Sequence, residues 1–315
     1  MVVLDKEWRY TAMKYDNLLS LMKAFPDEEA CVKHLEILRW PKGIVCPCCG
    51  STWKIYHVKR KFIYKCADCS SQFSVRKGTI FEESRLPLQK WFAAAFLITS
   101  NRKGIASTQL RREIGVSQKT AWFMLGRLRE VANAMSSCGG PMNGIIEADE
   151  TYIGGKESNK HNSKRLHAGR GTVGKLTVMG AVERNGRATT GLIPGTTQAD
   201  IHKFISENVN PKSTLYSDDH SGYHGLDGYK HKSVNHSVGE FVNGIVHTNS
   251  VESFWALLKR GHYGIFHSIS AKHLHRYLAE YEARWDMNKM DGLARVDALL
   301  ESTPGLRLTY GRLIA

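Results

Sequence analysis

Along this chain the spacing of apolar positions changes repeatedly, and each change predicts a different kind of element. Leu18, Leu19, Met22 and Phe25 recur at helical intervals, and after Pro26 a second amphipathic stretch runs from Glu29 to Trp40. Between 41 and 75 the pattern shortens to the β-prone runs WKIYHV and KFIYKC with the turn-like CCGST between small hairpins. Helical spacing returns after Leu88 in WFAAAFLITS, STQLRREIGV and QKTAWFMLGRLREVANAM, and stops near Gly139 and Gly140.

Past Gly144 the period shortens again. IIEADE is a short apolar run ending in acids, as a buried strand would be, and LTVMGAVE followed by RATTGLIPG reads as a hairpin across Asn185-Gly186. A helix from about Asp200 to Val209 and a strand at TLYSD follow, so the alternation predicts a mixed α/β sheet rather than a bundle. The polar and basic KESNKHNSKRLHAGRGTVGK is too long for a tight connection and is read as a mobile loop, with Lys164, Arg165 and Arg170 as DNA-contact candidates. In AKHLHRYLAEYEARWDM the stripe Leu274, Tyr277, Leu278 and Tyr281 is expected to pack into the core.

Charge narrows the partner. The 315 residues carry 44 Lys plus Arg against 30 Asp plus Glu, with a pI near 9.4, which suggests nucleic acid or an anionic membrane surface. No stretch has the length of a membrane span, and MVVLDKEWRY lacks a signal-like apolar run, so the expectation is a cytoplasmic, nucleoid-associated protein without membrane contact.

Seven cysteines, an odd number in such a chain, argue against a disulfide framework. Cys46-Pro47-Cys48-Cys49 and Cys66-Ala67-Asp68-Cys69 are separated by 16 residues, the spacing of a four-thiolate zinc site. Two such turns present four thiolates to one tetrahedral ion and pin each other without a sizeable core. The expected ligands of one structural Zn²⁺ are Cys46, Cys49, Cys66 and Cys69, with Cys48 as the competing thiol. Such a site has no open coordination position, so its task is DNA contact or fold support.

STQLRREIGVSQKTAWFMLGRLREV has the form of a helix-turn-helix, with Gly115 in the turn and Ser117 as N-cap. Gln118, Lys119 and Thr120 then begin the second helix, where base edges are usually met, and Arg111, Arg112, Arg127 and Arg129 are phosphate candidates. A merely structural three-helix unit is the competing reading.

Three acids lie where a sheet-based metal site would want them. Asp149 ends the strand in IIEADETYIGG, Asp218 ends the strand in TLYSDDHSGY, and Glu252 opens a helix in HTNSVESFWALLKRG. Taken singly each is better explained as a solvated cap. Gathered together they repel unless divalent cations neutralise them, and such a cluster holds two Mg²⁺ or Mn²⁺ ions roughly 4 Å apart for in-line phosphoryl transfer. Asp219 and Glu150 shadow the first two, and strand alternation turns each to the other face. Asn249 is the alternative third ligand. His247, Lys259 and Arg260 flank the third motif as phosphate candidates, and Tyr152, Tyr223 and Trp255 are aromatics for stacking on unpaired bases or, for Trp255 above all, for core packing.

The strings DETYIGGK, YSDDHSGY and HTNSVESFWALLKRGHYGIFH, preceded by CPCC and CADC, resemble the zinc-ribbon DDE transposases of bacterial insertion sequences, the group related to Merlin elements. The resemblance runs from about the first Cys pair to about residue 285. It implies an RNase H-like catalytic domain, cutting and joining at terminal inverted repeats, and a DDE triad that falls on Asp149, Asp218 and Glu252, the last two 34 residues apart. The expected class is α+β multidomain. Its parts are an N-terminal helical segment (1–40), a zinc ribbon (41–80), a helix-turn-helix-like DNA-binding region (81–140), an RNase H-like α/β catalytic domain (141–290) and a C-terminal tail (291–315). The expected partners are double-stranded DNA, as inverted repeat and as target, and further copies of the chain on that DNA. Two rivals remain, a domesticated DNA-binding regulator without catalysis and an RNase H-like nuclease without strand transfer.

Overall fold

Burial of the apolar stripes divides the chain into two compact units. A computed structural model describes residues 16–155, 157–166, 171–234 and 246–315, without the side chain of Lys164. One unit takes in residues up to Asn101, Ile105–Val131 and Lys289–Ala315, and the other Arg102–Gly104 and Ala132–Asn288.

The first unit is built on α3 (Leu88–Ser100), which is apolar nearly all round and buried from Trp91 to Thr99. Around it pack α1 (Leu18–Ala24), α2 (Glu28–Arg39), α4 (Ser107–Ile114) and, from the far end of the sequence, α9 (Gly292–Glu301). The segment 291–315, read from sequence as a tail, therefore contributes core helices, and His34 of α2 meets Asp297 of α9 at 2.8 Å. Between α2 and α3 lies a small antiparallel sheet of β1 (Ile55–His57), β2 (Tyr64–Cys66) and β3 (Gln72–Phe73). Gly115, left-handed at φ 62°, ends α4, and Ser117 accepts from the Thr120 N–H at 3.1 Å to start α5 (Gln118–Ser137), the expected turn residue and N-cap. A short α10 (Tyr310–Ile314) closes the chain.

The second unit contains a five-stranded sheet in the order β6 (Ala188–Ile193), β5 (Leu176–Glu183), β4 (Ile145–Ile153), β7 (Thr214–Asp218), β8 (Lys230–Val234). β5 runs antiparallel to β4 and β6, whereas β7 runs parallel to β4 and β8. The β5–β6 hairpin turns through the three residues 184–186, with the Glu183 N–H on the Arg187 carbonyl at 2.9 Å and Asn185 left-handed at φ 62°. Period-two alternation sends Ile146, Ala148, Met179, Ala181 and Leu215 to one face, against α6 (Gln198–Asn208). It sends Val178, Val182 and Ile153 to the other, against α7 (Asn249–Gly261) and α8 (Ala271–Asp286). This is the RNase H-like α/β arrangement, a mixed sheet between helices. No helix among the described residues is long and apolar enough to cross a membrane.

Candidate functional site

The central strand β4 carries the first acid. Its parallel register with β7 pairs Glu147 with Tyr216, and Asp149 and Asp218 each follow two residues later on these adjacent strands. Asp149 shares a face with Glu147, the face covered by α7, while Glu150 points to the opposite core and accepts from the Tyr223 hydroxyl at 2.9 Å. Glu252 lies in the first turn of α7, exposed, and its Oε1 accepts from the Thr248 hydroxyl at 3.0 Å.

The electrostatics couple these groups. Burial first, then the charges of Glu150 and Asp218 and more weakly that of Glu252, push the Asp149 carboxyl up to about 7. A carboxyl raised by burial and by neighbouring negative charge is one that a divalent cation would return to the ionised form. The three acids do not close into a single tight group: among the described residues, only the four cysteines bring their ligand atoms within 4.8 Å of one another. Asp219 and Asn249 are both exposed beside the site.

One residue that sequence reasoning passed over sits beneath these acids. Glu147 is 0 % exposed, and its carboxylate accepts from the backbone N–H groups of Ser250 at 2.6 Å and Val251 at 3.3 Å. Arg184 donates to it from Nη2 at 3.0 Å and from Nε at 3.2 Å, and His247 Nδ1 lies 3.3 Å away. The available signal was an acid inside the apolar run IIEADE, in phase with Asp149. His247, a phosphate candidate in the sequence, is thus turned toward Glu147.

The two Cys turns of the first unit repeat one geometry. The Cys46 N–H bonds to the Ser51 carbonyl at 2.9 Å and the Cys66 N–H to that of Ser71 at 3.0 Å. The residue after each second cysteine is left-handed, Gly50 at φ 76° and Ser70 at φ 57°. Cys46 and Cys69 sulfurs stand 3.6 Å apart and those of Cys49 and Cys66 3.7 Å apart, a set that fits one tetrahedral zinc. Hydrogen bonds from Ser71, its side chain first and its backbone second, pull the Cys69 thiol down to about 6. Against a hydrogen bond from the Ser51 backbone, burial and then the Cys69, Cys46 and Cys66 thiols push Cys49 up to about 12, so the clustered thiols share their protons unequally. Cys48 is exposed and outside this group.

The DNA candidates divide by exposure. Arg111, Arg112, Gln118 and Lys119 are exposed and Thr120 is half-buried, with Lys119 over the Tyr310 ring at 4.7 Å. Arg127 and Arg129 do not belong with them: both are buried, and Arg127 stacks on Phe123 at 4.5 Å while donating to the carbonyls of Leu308 and Ile80. Burial removes both from the phosphate candidates. Tyr223 is likewise 0 % exposed and committed to Glu150, so it cannot stack on a base, and Trp255 is core. Tyr152 is half-buried. On α7, Lys259 is half-buried two turns beyond Glu252 and Arg260 is exposed. Arg165 donates to the Lys160 and Ser158 carbonyls at 2.9 and 2.6 Å, within the segment 157–166. The side chain of Lys164 and the whole of Arg170 lie outside the described residues.

Comparison with known proteins adds an independent line. Residues 141–286 match the model of the ISXO2-like transposase domain, and residues 26–72 match that of the transposase zinc-ribbon domain. A protein of the transposable element ISH50 from Halobacterium salinarum is 30% identical over 301 residues, which is 89% of this chain and 98% of the relative. A transposase-like protein of Haemophilus influenzae is 30% identical over 118 residues, 37% of this chain and 93% of the relative.

Proposed function

The chain belongs to the zinc-ribbon, ISXO2-like transposases of insertion sequences, and from that premise we propose that it binds the terminal inverted repeats of its element and cuts and joins DNA with Asp149, Asp218 and Glu252 as the metal-holding acids. The observation that carries this reading is Asp149, half-buried on the α7 face of the sheet, its carboxyl pushed up to about 7 by burial and then by the charges of Glu150, Asp218 and Glu252. Three carboxylates make a hard, all-oxygen donor set suited to Mg²⁺ or Mn²⁺. Two such ions, when bound, activate an attacking oxygen and stabilise a leaving one.

The reaction then has two balanced steps. Water adds to a phosphorus at the element end and the bond to the 3′-oxygen breaks, leaving a 3′-hydroxyl on the element. That hydroxyl attacks a phosphorus of target DNA, and the target's own 3′-oxygen departs with the proton. Asp149 and Asp218 supply fixed charge from adjacent strands, and Glu252, held by the Thr248 hydroxyl, supplies the third charge from the first turn of α7. Arg111, Arg112, Gln118, Lys119 and Thr120 at the helix-turn-helix, with Arg165, Lys259 and Arg260, supply contacts to the duplex, and several copies act together on the two ends.

The test is cleavage of a labelled duplex bearing the inverted repeats that flank the coding region, with Mg²⁺ or Mn²⁺. Folded Asp149→Asn and Asp218→Asn proteins are expected to bind the ends and not cut them. Wild-type cutting by both ends this reading.

A further inference from the structure

Helix α7 does not start on its own cap residue. Thr248 makes no side-chain bond to the first-turn amides, and its hydroxyl goes to Glu252 instead. The amides of Ser250 and Val251, which every helix start leaves without an internal partner, point at Glu147 on β4. The Ser250 hydroxyl also donates to Glu147, at 3.1 Å, and Arg184 holds the same carboxylate from the end of β5. A wholly buried carboxylate persists only when its lone pairs are met, and here donors from a helix, a strand end and a loop all converge on it.

We propose that Glu147 is a positioning residue for cation binding, a role that rests on the two-metal reading above. It lies two residues before Asp149 on the same face of the same strand, and it caps the helix that carries Glu252. One side chain thereby fixes the third acid against the strand of the first and leaves Thr248 to orient Glu252. Partners that hold metal ligands in place tune affinity without touching the ion.

The experiment is Mn²⁺ binding to the full-length, zinc-loaded chain, followed by electron paramagnetic resonance without DNA, with melting curves to establish folding. Glu147→Gln keeps the size of the side chain but turns an amide donor toward either Arg184 or the α7 amides. Half-saturating Mn²⁺ should rise by about tenfold or more. Ser250→Ala deletes only the hydroxyl bond, so it keeps the question answerable should Glu147→Gln fail to fold, and it should raise half-saturation about two- to threefold. Wild-type Mn²⁺ binding by either folded variant overturns the proposal. Asp149→Asn and Asp218→Asn separate the two kinds of failure. If they weaken Mn²⁺ binding while folded Glu147→Gln does not, the role of Glu147 alone is lost; if neither alters binding, the metal reading is lost and the role of Glu147 with it.

Discussion

Gly180 stands opposite Asp149 in the β4–β5 register, and the indole of Trp255 occupies the space its missing side chain leaves. A Cβ at that position would lie 2.5 Å from Cζ2 and 2.6 Å from Cη2 of the ring, closer than carbon atoms approach. Trp255 follows Glu252 by three residues on α7, so the glycine sets how near the helix of the third acid comes to the strand of the first.

Gly180→Ala is therefore expected to push α7 outward. Overpacking of this kind costs roughly 1–3 kcal/mol, measurable by urea unfolding. Because small misplacements of reacting groups are expensive, cleavage should drop by about tenfold or more, beyond what the stability loss explains. Trp255→Phe in the same chain relieves the clash and should restore part of the cleavage. Unchanged cleavage by Gly180→Ala alone would mean that this spacing does not govern the site.

Zinc should be held by four of the five clustered cysteines. Elemental analysis of protein purified without chelator is expected to give about one zinc per chain, retained in Cys48→Ser and lost in Cys49→Ser or Cys66→Ser. The three strands of the ribbon are two or three residues long and cannot stand without the ion, so the zinc-free variants should also lose cooperative melting of that segment. Loss of zinc from Cys48→Ser with retention in Cys49→Ser would reassign the ligand.

Where burial followed a clear period, the fold was legible in the sequence. IIEADE, LTVMGAVE, TLYSD and the Asn185-Gly186 turn announce β4, β5, β7 and the hairpin because their apolar residues alternate against a two-sided core. β8 escaped notice because KHKSV is a mostly polar edge strand, with only Val234 fully buried. The final helices looked like a tail since nothing local shows that α9 returns to α3. Arg127 and Tyr223 misled in the same way: charge and aromaticity advertise a surface role, and only tertiary packing reveals a cation stacked on Phe123 and a hydroxyl spent on Glu150. Glu147 was hidden by its neighbours, being one of three acids in six residues, and its donors come from Arg184 at the end of β5 and from a helix start about a hundred residues away.

Carboxylates on α8 give the second unit a pH dependence of its own. Glu282 accepts from the Thr190 N–H at 2.7 Å and Asp286 from the Ala188 N–H at 2.9 Å, so both cap the β6 edge. Burial pushes Glu282 up to about 7 and Asp286 to about 6. Both folded values exceed the ordinary carboxylate values, so the unfolded chain releases these protons first as pH rises. The stability these two carboxyls contribute is fully present below about pH 4 and is lost as pH rises through about 7. Urea unfolding at pH 5 and pH 8 should show a loss for the wild type that shrinks by roughly 1–3 kcal/mol in Glu282→Gln, the difference between the two proteins cancelling other titrating groups. Equal pH dependence in both would mean that Glu282 is ionised in the folded chain at pH 5.

The third acid has two contenders within one turn of α7, Asn249 and Glu252, and both are exposed. Charge favours Glu252, because a carboxylate holds a divalent ion far better than a neutral amide does. Position favours it as well, since the Thr248 hydroxyl orients it and its charge already reaches Asp149. Glu252→Gln preserves the size and the acceptor for Thr248 while removing the charge, so cleavage should collapse while folding and end binding persist. A first-turn acid that merely aided its helix would cost no more than about 1 kcal/mol on removal and leave turnover nearly intact. Asn249→Ala, made in parallel, is expected to reduce cleavage much less. The measurement is single-turnover cleavage of the inverted-repeat duplex across a Mn²⁺ series, with melting curves to confirm folding. A greater loss in Asn249→Ala than in Glu252→Gln would move the third ligand to Asn249, and near-wild-type rates in folded Glu252→Gln would remove Glu252 from the site.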